Sequence, residues 1–145
     1  MVLGSALPTA QFQDFHGAPT DDFYFPSALA DSLARADHDP EGFDIEASFN
    51  SVASWYFHTD GMTEPGTADL VSVVLHEIGH ALGFAGSMRV DDGMDPIECD
   101  GTLGVGCYGY DFPHLPYIYD LYAQDGLDTD LTDYEQNSLA LGNQL

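Results

Sequence analysis

Apolar and polar residues alternate along Phe43-Asp44-Ile45-Glu46-Ala47-Ser48-Phe49. This is the pattern of a half-buried strand, with Phe43, Ile45, Ala47 and Phe49 on one face. Upstream, residues 23–36 predict a short helix. Pro26 suits a first-turn position, and Leu29, Leu33 and Ala36 fall at helical spacing. Pro40 and Gly42 break the chain between these two elements. Ser54-Trp55-Tyr56-Phe57-His58 predicts a second extended piece, and Thr59-Asp60-Gly61 and Glu64-Pro65-Gly66 mark turns after it.

The best-defined element is a helix capped by Thr67 or Asp69 and running to about Leu82. Gly83 stands where a left-handed C-terminal residue is wanted. Val71, Val74, Leu75, Ile78 and Leu82 predict its buried stripe. Residues 86–115 are rich in Gly and Asp and read as a long inserted loop. An apolar pattern resumes at Pro116-Tyr117-Ile118-Tyr119-Asp120-Leu121-Tyr122. No repeat or low-complexity linker divides the chain. Residues 1–145 therefore read as a single α+β domain, or as part of a larger one.

Charge narrows the partners. Asp and Glu number 25 against two Lys and Arg, giving a formal net charge of -23. Such a surface repels nucleic-acid phosphates and anionic membranes. No apolar run reaches the ~18 residues a membrane helix needs, so membrane insertion is not expected. The start of the chain lacks the basic region and longer apolar stretch of a signal peptide. The excess acid reads as a solubility adaptation suited to high salt, where screening relieves self-repulsion, or in part as cation binding. Asp91, Asp92, Asp95 and Glu98 offer oxygen ligands to Ca2+, although their spacing is not that of an EF-hand; a solvated acidic loop is the simpler reading. Cys99 and Cys107 either close a disulfide, which would fit an extracellular protein, or stand as free thiols.

The chemistry concentrates in His76-Glu77-Ile78-Gly79-His80. Histidines four apart on a helix share a face, about 6 Å apart along the axis. Both can reach one Zn2+ at roughly 2.0–2.1 Å. Glu77 lies one step round the helix, poorly placed as a third ligand but able to take a proton from water held at the metal. Gly79 is costly inside a helix, by ~1 kcal/mol against Ala. A close packing contact or space beside the metal would justify it. His16, His38 and His58 lack ligand spacing and read as structural or exposed.

His76-Glu77-Ile78-Gly79-His80-Ala81-Leu82-Gly83-Phe84 resembles the active-site helix and glycine turn of the metzincin metallopeptidases. In that clan a third His usually follows the glycine by three residues, but Gly86 stands there in this chain. The departure resembles the leishmanolysin-type arrangement, in which a long insertion precedes the third His. The segments Phe23-Tyr24-Phe25-Pro26-Ser27-Ala28-Leu29-Ala30, Asp44-Ile45-Glu46-Ala47-Ser48-Phe49-Asn50-Ser51 and Asp69-Leu70-Val71-Ser72-Val73-Val74-Leu75 are similar to a group of secreted bacterial metallopeptidases, as is Pro116-Tyr117-Ile118-Tyr119-Asp120.

The resemblance implies a zincin-like fold, a mixed sheet packed on a long active-site helix. It implies zinc held by His76 and His80, Glu77 as general base, a protein or peptide substrate, and secretion. It also implies that extended substrate pairs with the strand over residues 43–49. The third ligand and the methionine turn are expected beyond Leu145, the chain being a fragment, with His114 or Asp120 as substitute ligands inside it. The rival expectation is a truncated or non-catalytic module that binds metal or a partner without turnover.

Overall fold

A computed structural model describes residues 2–93, 99, 102–109, 115–136, 138–142 and 145. The chain forms two compact units, one from Met1–Phe12 and Pro26–Phe84, the other from Gln13–Phe25 and Ala85–Leu145.

In the first unit, Gly4–Pro8 (β1) pairs antiparallel with the strand Ile45–Phe49, which becomes β4 in chain order. Gly4 lies opposite Phe49, and Pro8 opposite Ile45. The ladder continues past both ends. Asn50 N–H donates to Leu3 O at 2.9 Å, and Thr9 N–H donates to Asp44 O at 3.0 Å. β1 has the glycine and proline of a turn segment and was not expected from the sequence. It forms because a distant strand supplies its hydrogen bonds. Gln11–Phe12 (β2) follows, and Phe25–Pro26 (β3) is where the chain passes back into this unit.

Ser27–Ala34 (α1) is shorter than the expected helix over residues 23–36. The residue before a proline disfavours helical backbone, so Phe25 stays extended and Pro26 becomes the N-cap. Ser27 is buried; its N–H donates to Ala10 O and its hydroxyl to Asp44 O. The helix stops at Arg35, in the left-handed region at φ 55°. Beyond it, the Asp31 carboxylate accepts from His38 N–H at 3.0 Å and lies 2.6 Å from His38 Nδ1.

Trp55–Tyr56 (β5) lies within the extended piece expected there. It pairs in parallel with Ala68–Asp69 (β6), which leads into Leu70–Ala81 (α2). Asp69 caps α2: its carboxylate accepts from Val71 N–H and Ser72 Oγ–H at 3.2 and 2.6 Å. α2 lies against β1 and β4. The expected stripe is not the covered one: Leu75 is 66% exposed, and Val71, Ile78 and Leu82 are also exposed. The shielded positions run through Leu70, Val73, Val74, Glu77, His80 and Ala81, which keep helical spacing but are rotated by about one residue. The strand over residues 43–49 is likewise more open than a half-buried strand, since Phe43 and Phe49 are exposed.

In the second unit, Arg89–Val90 (β7) pairs antiparallel with Gly106–Cys107 (β8). The stretch expected to be an inserted loop therefore carries sheet structure. Cys99 and Cys107 are disulfide-bonded, with Cα atoms 5.5 Å apart. A disulfide fits an oxidising compartment. The 116–122 segment becomes the 3-10 helix Ile118–Tyr122, bridged to the chain start where Tyr24 N–H donates to Pro116 O and Ile118 N–H to Tyr24 O. A second 3-10 turn, Leu131–Asp133, precedes Leu139–Gly142 (α3). Phe25, Val105, Cys107, Ile118, Leu131 and Leu141 are buried.

The chain is thus a mixed α/β protein, as expected at that level. Its helices are short, however, and each sheet among the described residues has two strands. A single mixed sheet would need strands long enough to pair on both edges, and β2, β3 and β5 to β8 are two residues each. No described helix is long and apolar enough to cross a membrane.

Candidate metal centre

α2 ends in a Schellman closure. Phe84 N–H donates to Gly79 O at 3.0 Å and Gly83 N–H to His80 O at 3.1 Å. Gly83 occupies the left-handed position at φ 111°, as its place in the sequence predicted. The closure turns the Phe84 carbonyl back over the last helical turn, where it lies 2.8 Å from His80 Nδ1.

His76 and His80 come together as their spacing predicts. Their Nε2 atoms are 3.0 Å apart, and the rings meet edge to face at 86° with centroids 4.5 Å apart. Two nitrogens bound to one tetrahedral zinc at about 2.0–2.1 Å stand about 3.3 Å apart. The pair therefore fits two corners of a zinc site with little adjustment.

Glu77 points along a different direction, about 100° round the helix from His76. Its stem packs against β1. A Cβ added at Gly4 would lie 3.2 Å from Glu77 Cγ and 2.9 Å from the Phe49 ring. Glycine at position 4 lets the ribbon and Glu77 approach this closely. A glycine inside a strand is a signal for such an approach, but it is legible only once β1 is known to be a strand. Beside this contact the ribbon end opens into a groove of about 230 Å³ lined by residues 2–5 and 48–50.

Close packing does not require a glycine at position 79. A Cβ there would meet nothing within 4 Å, while its carbonyl receives the Schellman bond from Phe84.

The substitute ligands fare differently. Asp120 is 1% exposed and accepts from Ser87 N–H, Ser87 Oγ–H and Tyr117 N–H. Burial pushes its carboxyl above the usual carboxylate range, and the Ser87 and Tyr117 bonds pull partly the other way. These bonds tie it to the second unit's own backbone and to Ser87. His114 lies outside the described residues, as do Asp95 and Glu98 of the acidic loop. Of that loop, Asp92 is exposed, whereas Asp91 is buried and its carboxylate accepts from Gly93 N–H at 2.7 Å. Asp91 is thus a turn-forming acid. Among the described residues, no group of three or more His, Cys, Asp or Glu side chains is placed to hold a metal ion.

His16 and His58 are exposed, His58 against the Tyr56 ring at 5.0 Å, and His38 is tied to Asp31 and stacks on Phe12 at 4.7 Å.

Comparison with curated proteins and with solved structures gives no match. A family described as SPBPB7E8-like matches residues 2–102, a span that includes β1, β4 and all of α2 with its two histidines. The chain belongs to this SPBPB7E8-like family.

Proposed function

We propose that this chain carries the zinc-binding helix of a zincin-like metalloendopeptidase. One observation carries the reading: the Nε2 atoms of His76 and His80 converge to 3.0 Å on one side of α2. Zinc bound there would polarise the scissile carbonyl and make water acidic, with a pKa near 7. Glu77, next in sequence to His76, takes the proton of the attacking water and returns it to the leaving amine. Its stem lies close against Gly4 of β1, which limits the directions from which the carboxylate can work.

The substrate in this reading is an extended peptide. Among the described residues β4 is paired on one edge only, by β1, so its other edge is free for main-chain hydrogen bonds. Catalytic zinc sites normally use three protein ligands. The third would come from outside the described residues, and His114 is one candidate. The Cys99–Cys107 bridge agrees with work in an oxidising, extracellular setting.

The test is peptide hydrolysis by the zinc-loaded, full-length gene product and its Glu77→Gln variant. The amide cannot accept the proton, so hydrolysis should fall by about 100-fold or more while zinc stoichiometry is unchanged. Full activity in the Gln variant would remove Glu77 from the chemistry.

A further inference from the structure

We propose that Gly83 and the Phe84 carbonyl preset His80, but not His76, in the ring tautomer a metal ligand needs. The inference rests on the zinc reading of this site, yet its first test needs no metal.

A carbonyl oxygen can only accept a hydrogen bond. His80 Nδ1, 2.8 Å from Phe84 O, must therefore carry the hydrogen. A neutral imidazole has one N–H, so His80 Nε2 keeps a bare lone pair. The 3.0 Å contact between the two Nε2 atoms is then satisfied in one way in the metal-free protein: His76 donates its Nε2–H to His80. His76 Nδ1 has no hydrogen-bond partner among the described residues that would hold it otherwise. The pair is asymmetric. His80 already offers its Nε2, whereas His76 must give up its Nε2 hydrogen to solvent and take one at Nδ1 before its Nε2 can bind metal.

The device depends on Gly83. The Schellman closure needs φ 111° at that position, a conformation L side chains rarely adopt. A Cβ there would also stand 3.1 Å from Pro26 Cγ. Phe84 reaches back over His80 because Gly83 makes the turn. Hydrogen bonds to the far nitrogen of a ligating histidine commonly fix its tautomer and orientation.

Long-range proton–nitrogen correlation spectra of histidine-labelled protein, recorded where both rings are neutral, read the tautomers directly. In metal-free protein His80 should appear as the Nδ1–H form and His76 as the Nε2–H form. Added zinc should convert His76 to the Nδ1–H form and leave His80 unchanged. In Gly83→Ala, His80 should become a mixture of tautomers and zinc should bind about 10-fold more weakly or worse. An Nε2–H His80 in the metal-free protein overturns the proposal, and does so even if the variant fails to fold. A folded Gly83→Ala with His80 still wholly Nδ1–H overturns it too. If His80 is preset as stated but zinc changes neither ring, the positioning stands and the zinc reading fails.

Discussion

Asp120 accepts both the N–H and the hydroxyl of Ser87, 33 residues earlier in the chain, at 3.0 and 2.6 Å. Ser87 Oγ in turn accepts from Gly109 N–H at 2.9 Å. Three separate stretches of the second unit thus meet at one buried carboxylate. Ser87→Ala removes a hydrogen bond to a charged group and strands the Gly109 donor, at a cost of about 2–3 kcal/mol. Asp120→Ala strands three donors and should cost about 3 kcal/mol or more. Urea unfolding measures both; a loss below about 0.5 kcal/mol for Asp120→Ala, the range of ordinary surface changes, would show that the network does not brace the unit.

Little of that network could be read from the sequence. Ser87 and Asp120 have no periodic or local relation, so nothing marks one as the partner of the other. The cap at Asp69, the end at Gly83 and the convergence of His76 with His80 were legible, because each is fixed by spacing inside one helix. β1 was not, since Gly4-Ser5-Ala6-Leu7-Pro8 has weak strand character and is held by Ile45–Phe49 from far along the chain. The shielded stripe of α2 differs from the expected one for a related reason. Periodicity shows which residues are apolar, whereas burial depends on what packs there; α2 lies against β1 and β4, and its shielded positions include Val73, Val74, Glu77 and Ala81.

That rotation can be measured. Leu75 is 66% exposed, so Leu75→Gln should change stability by no more than about 0.5 kcal/mol. A loss of about 2 kcal/mol or more, typical of a core leucine, would return Leu75 to a buried stripe.

Acid response should separate the carboxylates. Asp125 accepts from Tyr134 OH at 2.6 Å and from the Leu127 and Thr129 N–H groups, and the Tyr134 bond leads in holding its carboxyl below the usual 3.8. Its contribution is present above 3.8 and is lost as pH falls through the lower folded value. Asp120 runs the other way. Burial raises its folded value, so its contribution is greatest at or below 3.8 and declines as pH rises through the folded value. Stability measured against pH, relative to Asp125→Asn and Asp120→Asn, should show slopes of opposite sign. Slopes of the same sign would refute the assignment for one of them.

The Cys99–Cys107 bridge predicts no free thiol in the unreduced protein. Closing a loop this short stabilises by about 2–3 kcal/mol in the chain-entropy view, so reduction should lower the unfolding midpoint. Two reactive thiols in native, unreduced protein would contradict the bridge and with it the oxidising setting.

Zinc titration of the chain beside His76→Ala and His80→Ala tests the proposed metal centre most directly. The 3.0 Å convergence of the two Nε2 atoms predicts a single class of zinc site in the unmodified chain. That site should be weak if only two protein ligands serve it, and it should be lost in each variant alone. Adding His114→Ala to the series tells whether that residue supplies a third ligand. Zinc held as tightly by His76→Ala or by His80→Ala as by the unmodified chain would contradict the account.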